Sequence, residues 1–183
     1  MEGGIRAWEG GVAEGLPDVG MAYFTTADKP EEFIALAWML EEGSRRFYAE
    51  IPALVGADED TKKLFRDLTT AEEHHKASLF NLYKTFTGGE PKQDFPRSIV
   101  PAEATGDIME GGMRVGEALE WVKGKNSDAI FELAMALETN SYDLYIKMRH
   151  QMKDDKSRQV FDQLSKEEKK HLELLAGFFE KKF

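Results

Sequence analysis

The sequence predicts an all-α bundle made of two similar helix hairpins joined by a long crossover. Three observations predict it. One pattern occurs twice: Leu40-Glu41-x-x-Ser44-x-x-x-Tyr48 followed by Glu72-x-x-His75, and Leu137-Glu138-x-x-Ser141-x-x-x-Tyr145 followed by Glu168-x-x-His171. An internal duplication of this kind sets the architecture before any other feature. Each part of the pattern also lies on an apolar stripe with steps of three and four residues, the period of a helix. No segment reads convincingly as a strand.

The elements follow in order. Residues 1–27 are rich in glycine and keep no period, so they read as an extended leader. Within them, Gly3-Gly4-Ile5-Arg6-Ala7-Trp8-Glu9-Gly10 resembles the closing segment of rhodanese domains. That resemblance implies that the chain is the C-terminal part of a rhodanese fusion, with residues 1–27 the tail of the preceding domain and 28–183 the bundle. The first helix opens at Asp28-Lys29-Pro30-Glu31, where Asp28 and Glu31 have capping-box spacing and Pro30 suits a first turn. Its stripe is Ile34, Ala37, Glu41, Ser44, Tyr48, and Pro52 and Gly56 end it. The second helix starts at Asp58–Thr61 and carries Leu64, Leu68, Glu72, His75, Leu79, Leu82 and Phe86 to the stop at Gly88-Gly89. Residues 88–126, with Pro91, Pro96 and Pro101, form the crossover, with a short helix near Gly116–Lys123. The third helix starts near Ser127 and carries Phe131, Ala134, Glu138, Ser141, Tyr145 and Met148. The fourth starts near Asp155 and carries Phe161, Leu164, Glu168, His171, Leu175 and Phe178. A connection as long as 88–126 is uncommon inside a compact domain, but a four-helix bundle accommodates one as a crossover.

Composition narrows the function classes. A net charge of −10 argues against a nucleic-acid partner, which needs a basic face. The absence of cysteine excludes disulfides, iron–sulfur clusters and thiolate zinc sites in this chain, and fits a cytoplasmic setting. No apolar run approaches the roughly 20 residues that span a bilayer, so no membrane partner is expected.

Chemistry concentrates where charged residues interrupt apolar stripes. Glu41, Glu72, His75, Glu138, Glu168 and His171 all fall on core-facing lines. A buried carboxylate without a partner is very costly, and no Lys or Arg shares these stripes. Two divalent cations would balance the four carboxylates, with the imidazoles completing their shells. Residues at i and i+3 project to one side of a helix, so Glu72 and His75 can reach one centre together, as can Glu168 and His171. One Glu from each of two helices plus Glu-x-x-His from the other two is the ligand set of di-metal carboxylate bundles. These ligand types suit iron or manganese better than tetrahedral zinc, although either manganese or zinc could be the metal loaded.

Other residues have plainer readings. His74 and His150 are expected to face solvent, and Glu42, Glu73 and Glu167 to point away from the centre. The methionines, Met148 and Met152 among them, are expected to fill core space. Tyr48 and Tyr145 read as core residues, each two turns from a candidate ligand, where its hydroxyl can bond to a ligand carboxylate; Ser141 is a further candidate for such an outer role.

On Glu41 with Tyr48, Glu72-x-x-His75, Glu138 with Tyr142 and Tyr145, and Glu168-x-x-His171, residues 28–183 resemble the rubrerythrin-like branch of the ferritin-like superfamily. The resemblance implies a non-haem di-iron centre in a ferritin-like four-helix bundle. It implies that Glu72 and Glu168 bridge the irons, that Glu41 and Glu138 are terminal, and that His75 and His171 bind one iron each. Rubrerythrins proper carry a further Glu three residues after the third-helix ligand, where this chain has Ser141, and a four-cysteine rubredoxin domain that this chain lacks. The implied function is an oxidoreductase of oxidative stress that reduces hydrogen peroxide or dioxygen with electrons from an external donor protein, acting as a homodimer. The alternatives are an iron-binding, ferroxidase-like protein without peroxidase turnover, and a metal-stabilised structural bundle.

Overall fold

The computed structural model describes residues 29–100 and 107–182. The leader, its rhodanese-like segment and Asp28 lie outside the described residues. Among the described residues are five α-helices and no strand. They are α1 (Pro30–Leu54), α2 (Glu59–Thr87), α3 (Val115–Val122), α4 (Ser127–Gln151) and α5 (Asp155–Lys182). A 3-10 turn, Glu110–Gly112, precedes α3.

Local chemistry accounts for most helix ends. Lys29 holds the N-cap position of α1, without a side-chain cap, and Pro30 begins the helix. The helix runs past Pro52 to Leu54, two residues beyond the stop expected at Pro52. Asp58 caps α2 by accepting from Thr61 N at 2.8 Å, and Gly88 closes it in the left-handed conformation (φ 70°). Asn126 caps α4 through Ala129 N at 3.1 Å, and Asp154 caps α5 through Ser157 N at 2.8 Å.

The core falls into two apolar clusters separated along the bundle axis. One gathers Ile34, Leu36 and Leu40 of α1, Leu79 and Leu82 of α2, Leu144 and Met148 of α4, and Phe161 and Leu164 of α5. The other gathers Phe47 and Ile51, Leu64 and Leu68, Phe131 and Leu137, and Leu175 from the same helices. Each of the four long helices crosses from one cluster to the other, and each places a glutamate at the crossing point. Glu41 stands between Leu40 and Phe47, Glu72 between Leu68 and Leu79, Glu138 between Leu137 and Leu144, and Glu168 between Leu164 and Leu175. The result is a polar layer across the middle of a dry bundle.

The order of the clusters also fixes helix direction. Helices α1 and α5 run one way, α2 and α4 the other. Helix α2 therefore ends where the first cluster lies, while α4 begins at the second, and the crossover must travel the length of the bundle. Its Val100 and Ile108 pack in the first cluster, and Met109, Val115, Ala118 and Val122 in the second. The switch between Ile108 and Met109 brings the chain past the polar layer. Gly43 makes this approach possible: a Cβ there would stand 2.1 Å from Ile108 O. The turn reverses through Gly111 and Gly112, both at positive φ, and the Ile108–Arg114 bridge closes it.

Candidate metal centre

The polar layer contains all six residues that interrupt the stripes. Glu41, Glu72, Glu138 and Glu168 have no exposed surface, and His75 and His171 are 1% and 9% exposed. Their ligating atoms form three overlapping groups able to hold a metal ion: Glu41, Glu72, His75 and Glu168; Glu72, Glu138 and His171; and His75, Glu168 and His171. Glu72, His75, Glu168 and His171 each belong to two of them. Glu168 also faces both halves, with Oε1 2.9 Å from His75 Nδ1 and Oε2 3.2 Å from His171 Nδ1. The imidazoles stack at 5.3 Å between centroids.

Each imidazole turns Nδ1 inward. His75 Nδ1 lies 3.3 Å from both Glu41 and Glu72, and His171 Nδ1 lies 2.9 Å from Glu138. On the outer side, His75 Nε2 donates to Glu167 at 3.1 Å, and Gln163 holds the other Glu167 oxygen at 2.9 Å. A proton on Nε2 leaves the Nδ1 lone pair of a neutral ring facing the carboxylates, the tautomer a metal ligand needs. Glu167 therefore does not point away into solvent as expected. Its long side chain crosses from α5 to α2, a reach that a projection of α5 alone cannot reveal.

Tyrosines tie the two halves together. Tyr48 of α1 donates to Glu138 Oε1 at 2.6 Å, and Tyr145 of α4 donates to Glu41 Oε1. Ser44 and Ser141 are fully buried beside them. Lys76 is also buried, but its ammonium turns outward to Glu42 at 2.5 Å and Glu73 at 3.1 Å, over the Trp38 ring. Arg45 joins the same exterior network, and the Arg45 and Lys76 hydrogen bonds outweigh partial burial to hold Glu42 at about 2. No cation of this network enters the layer. His74 and His150 are exposed, and Met148 and Met152 pack in the core.

One member of the layer was invisible in the helical pattern. Glu110, at the 3-10 turn, is 1% exposed and accepts from Ser44 Oγ at 2.6 Å. Sequence reasoning passed over it because the crossover has no period. The available signal was a single Glu between apolar Ile108-Met109 and the Gly111-Gly112 reversal, facing a mid-helix glycine at position 43.

The electrostatics show what the layer lacks. Burial raises Glu41 well above the usual carboxylate range, and the Glu110 and Glu72 charges add to the effect. Glu110 is raised in the same way by burial and by Glu72, Glu168 and Glu138. Burial and Glu138 push Glu168 up to about 7. Burial opposes ionisation of Glu138 too, but the hydrogen bond and charge of His171 outweigh it and hold Glu138 below its ordinary value. Burial disfavours protonated imidazoles. It is outweighed at His171, which Glu138 and Glu168 push up to about 11, and at His75, which Glu41 and Glu168 raise. Without cations, then, the layer favours protons on Glu41, Glu110 and both imidazoles. Glu72 Oε1 and Oε2, Glu168 Oε1 and Glu110 Oε1 are buried oxygens with no aligned hydrogen-bond donor. Unpartnered buried oxygens grouped in one space, with imidazole lone pairs turned toward them, fit metal ions in both charge and donor type.

A bundle of this topology with buried carboxylates and imidazoles projecting inward from four helices belongs to the ferritin-like class. The family model described as Rubrerythrin matches residues 32–179, and the chain belongs to the rubrerythrin family. Among solved structures, a hypothetical protein from Pyrococcus furiosus shares the fold: TM-score 0.64, 24% identity, covering 91% of this chain and 95% of that one. No curated protein matches significantly.

Proposed function

We propose that this protein is a non-haem di-iron oxidoreductase of rubrerythrin type, reducing hydrogen peroxide, or dioxygen, with electrons from an external donor protein. The observation that carries the proposal is the pair of overlapping ligand groups that share Glu72, with Glu168 facing both imidazoles. Glu41, Glu72, His75 and Glu168 would hold one iron, and Glu72, Glu138, Glu168 and His171 the other. Bound there, the irons would supply two electrons and open coordination positions for a small oxidant.

The chain's own residues set the conditions. Tyr48 and Tyr145 fix the rotamers of Glu138 and Glu41 across the bundle. The apolar clusters above and below exclude water and keep the site's charges strongly coupled. A cleft of about 410 Å³ between α2 and α5, lined by Ala71, His75, Ser78, Gln163, Glu167 and His171, leads to the outer edges of the imidazoles. It is wide enough to admit hydrogen peroxide or dioxygen. Reducing one peroxide to two waters takes two electrons and two protons. With no cysteine among these 183 residues, they supply no thiolate-ligated relay of their own. No helix among the described residues is long and apolar enough to cross a membrane.

The test is iron content and optical spectrum of the full chain, followed by anaerobic reduction and mixing with peroxide. Two irons per chain, rapid reoxidation by peroxide and donor-dependent turnover are expected. Reoxidation by oxygen with excess Fe(II), without donor-dependent turnover, would instead favour the ferroxidase-like reading. A loaded centre inert to both oxidants would leave only a structural role.

A further inference from the structure

We infer that Glu110 is a fifth carboxylate ligand of the metal centre, delivered by the crossover rather than by any of the four long helices. The inference rests on the metal-centre reading above and adds a residue that lies outside the duplicated pattern.

The layer has two open sides. On the α2–α5 side stand the imidazoles and the cleft. On the α1–α4 side, the 3-10 turn packs against both helices. There Glu110 Oε2 accepts from Ser44 Oγ at 2.6 Å, which fixes the carboxylate plane. Its other oxygen, Oε1, is buried and has no aligned hydrogen-bond donor, although the Ser141 hydroxyl also lies near enough to favour the ionised carboxylate. A carboxylate held at one oxygen and without an aligned donor at the other, at 1% exposure, is poised to ligate.

The backbone around it is arranged to bring it there. Gly43 is required for Ile108 to lie against α1, since a Cβ would meet Ile108 O at 2.1 Å and Met109 Cα at 2.8 Å. Gly111 at φ 74° faces Asn140 of α4, whose Nδ2 would stand 2.7 Å from an added Cβ. Gly43 and Asn140 occupy matching places in the two halves of the repeat, two residues after Glu41 and Glu138. The turn is thus wedged between equivalent points of α1 and α4, and the residue at its head is a glutamate. A turn that served only to cover the bundle would place an apolar residue there, because burying a carboxylate without a cation is costly.

Charge balance points the same way. The four helix carboxylates neutralise two divalent ions, but not an oxidised pair, which would leave excess positive charge in a dry site. A fifth carboxylate brings the centre close to neutral in both states.

The test is an anaerobic titration of the full-length, metal-free chain with Co(II), read by optical absorption and by metal stoichiometry, comparing wild type with Glu110→Gln. Glu110→Gln keeps the volume and the acceptor for Ser44 but removes the charge. The expected result is a folded variant whose weaker-bound Co(II) is lost by a factor of about 100 or more, beyond what removal of an outer hydrogen-bond partner gives. Its Co(II) absorption bands should change, and the iron-loaded form should have a higher reduction potential. Co(II) binding and spectra identical to wild type would overturn the inference while leaving the centre intact. A wild-type chain that binds no metal would overturn both readings. If Glu110→Gln is unfolded by circular dichroism, Glu110→Asp is read by the same titration. Loss of the metal-free fold in both variants would assign Glu110 a structural role and overturn the inference as well.

Discussion

Glu41 and Glu138 hold the same place in the two hairpins, and each accepts a hydroxyl from the other hairpin's tyrosine. Their surroundings nevertheless differ. Glu138 is paired with His171 at 2.9 Å and is held below its ordinary pKa, whereas Glu41 has Glu110 as its strongest repulsive neighbour and is raised. The imidazoles differ too. His75 is backed by Glu167 on its outer nitrogen, while the position equivalent to Glu167 in the first hairpin is Ala71. The duplicated pattern builds a symmetric set of ligands. Residues outside the pattern, one from the crossover and one from a neighbouring helix face, make the surroundings of the two halves unequal. On the proposed reading, the symmetric residues would set how much metal the layer holds, and the asymmetric ones would set the order in which it fills.

The largest effect should separate shared ligands from unshared ones. Glu72→Ala removes the carboxylate common to both groups and should reduce bound metal to well below one ion per chain. Glu138→Ala should weaken mainly the His171 position and leave one ion bound. Metal analysis after gel filtration measures both. The same comparison has a thermal readout. At 100 times its dissociation constant, a bound ion adds about 2.7 kcal/mol of stability. Wild type should therefore melt several degrees higher with metal than without it, and Glu72→Ala should show almost no difference.

Next in size is the crossover contact. Gly43→Ala gains about 1 kcal/mol of helix propensity but places a methyl group against a backbone carbonyl that no rotamer change can relieve. Overpacking at the upper end of its range, about 3 kcal/mol, leaves a net loss of about 2 kcal/mol. For a domain of this size that lowers the melting temperature by about 4–8 °C in calorimetry of the metal-free chain. Asn140→Ala, at the matching place on α4, removes only a side chain and should cost less than about 1 kcal/mol. Equal effects at the two positions would show that the turn is not wedged against α1.

These comparisons mark how far a sequence carries. The four long helices and the burial of Glu41, Glu72, His75, Glu138, Glu168 and His171 between them were legible because each of these residues interrupts an apolar stripe, and burial of a charge on a stripe has few explanations. Helix ends were legible to within about two residues because their caps are local: Asp58 and Gly88 act within a turn of themselves. Pro52 misled because the one intrahelical hydrogen bond it removes does not stop the two residues after it from keeping helical conformation to Leu54. Glu110 and Glu167 were not legible, for two different reasons. Glu110 joins the buried polar layer only when the crossover switches clusters beside Gly43, a tertiary event. Glu167 sits one residue from a ligand, on what looks like the wet face of α5, and only the closeness of α2 gives it a partner.

The smallest predicted effect tests the second of these. Glu167→Ala makes the two imidazole environments alike, since Ala71 already stands in the corresponding place. The variant loses the acceptor for His75 Nε2–H, and with it the constraint that keeps the Nδ1 lone pair turned inward. Removing such an outer partner costs about tenfold in metal affinity at the low end of the usual range. The loss should fall on the position served by His75, with His171 unaffected, so a two-step Co(II) titration should show one step moved and the other fixed. Metal-free stability should change little, because Glu167 is partly exposed and a single outer hydrogen bond is worth about 1 kcal/mol. Adding Ala71→Glu to wild type supplies the converse. If position alone determines the role, a carboxylate at 71 can reach across the cleft to the outer edge of His171 and tighten the second step. If both steps move together in either variant, the two positions are coupled too strongly through Glu72 and Glu168 for their outer partners to act separately.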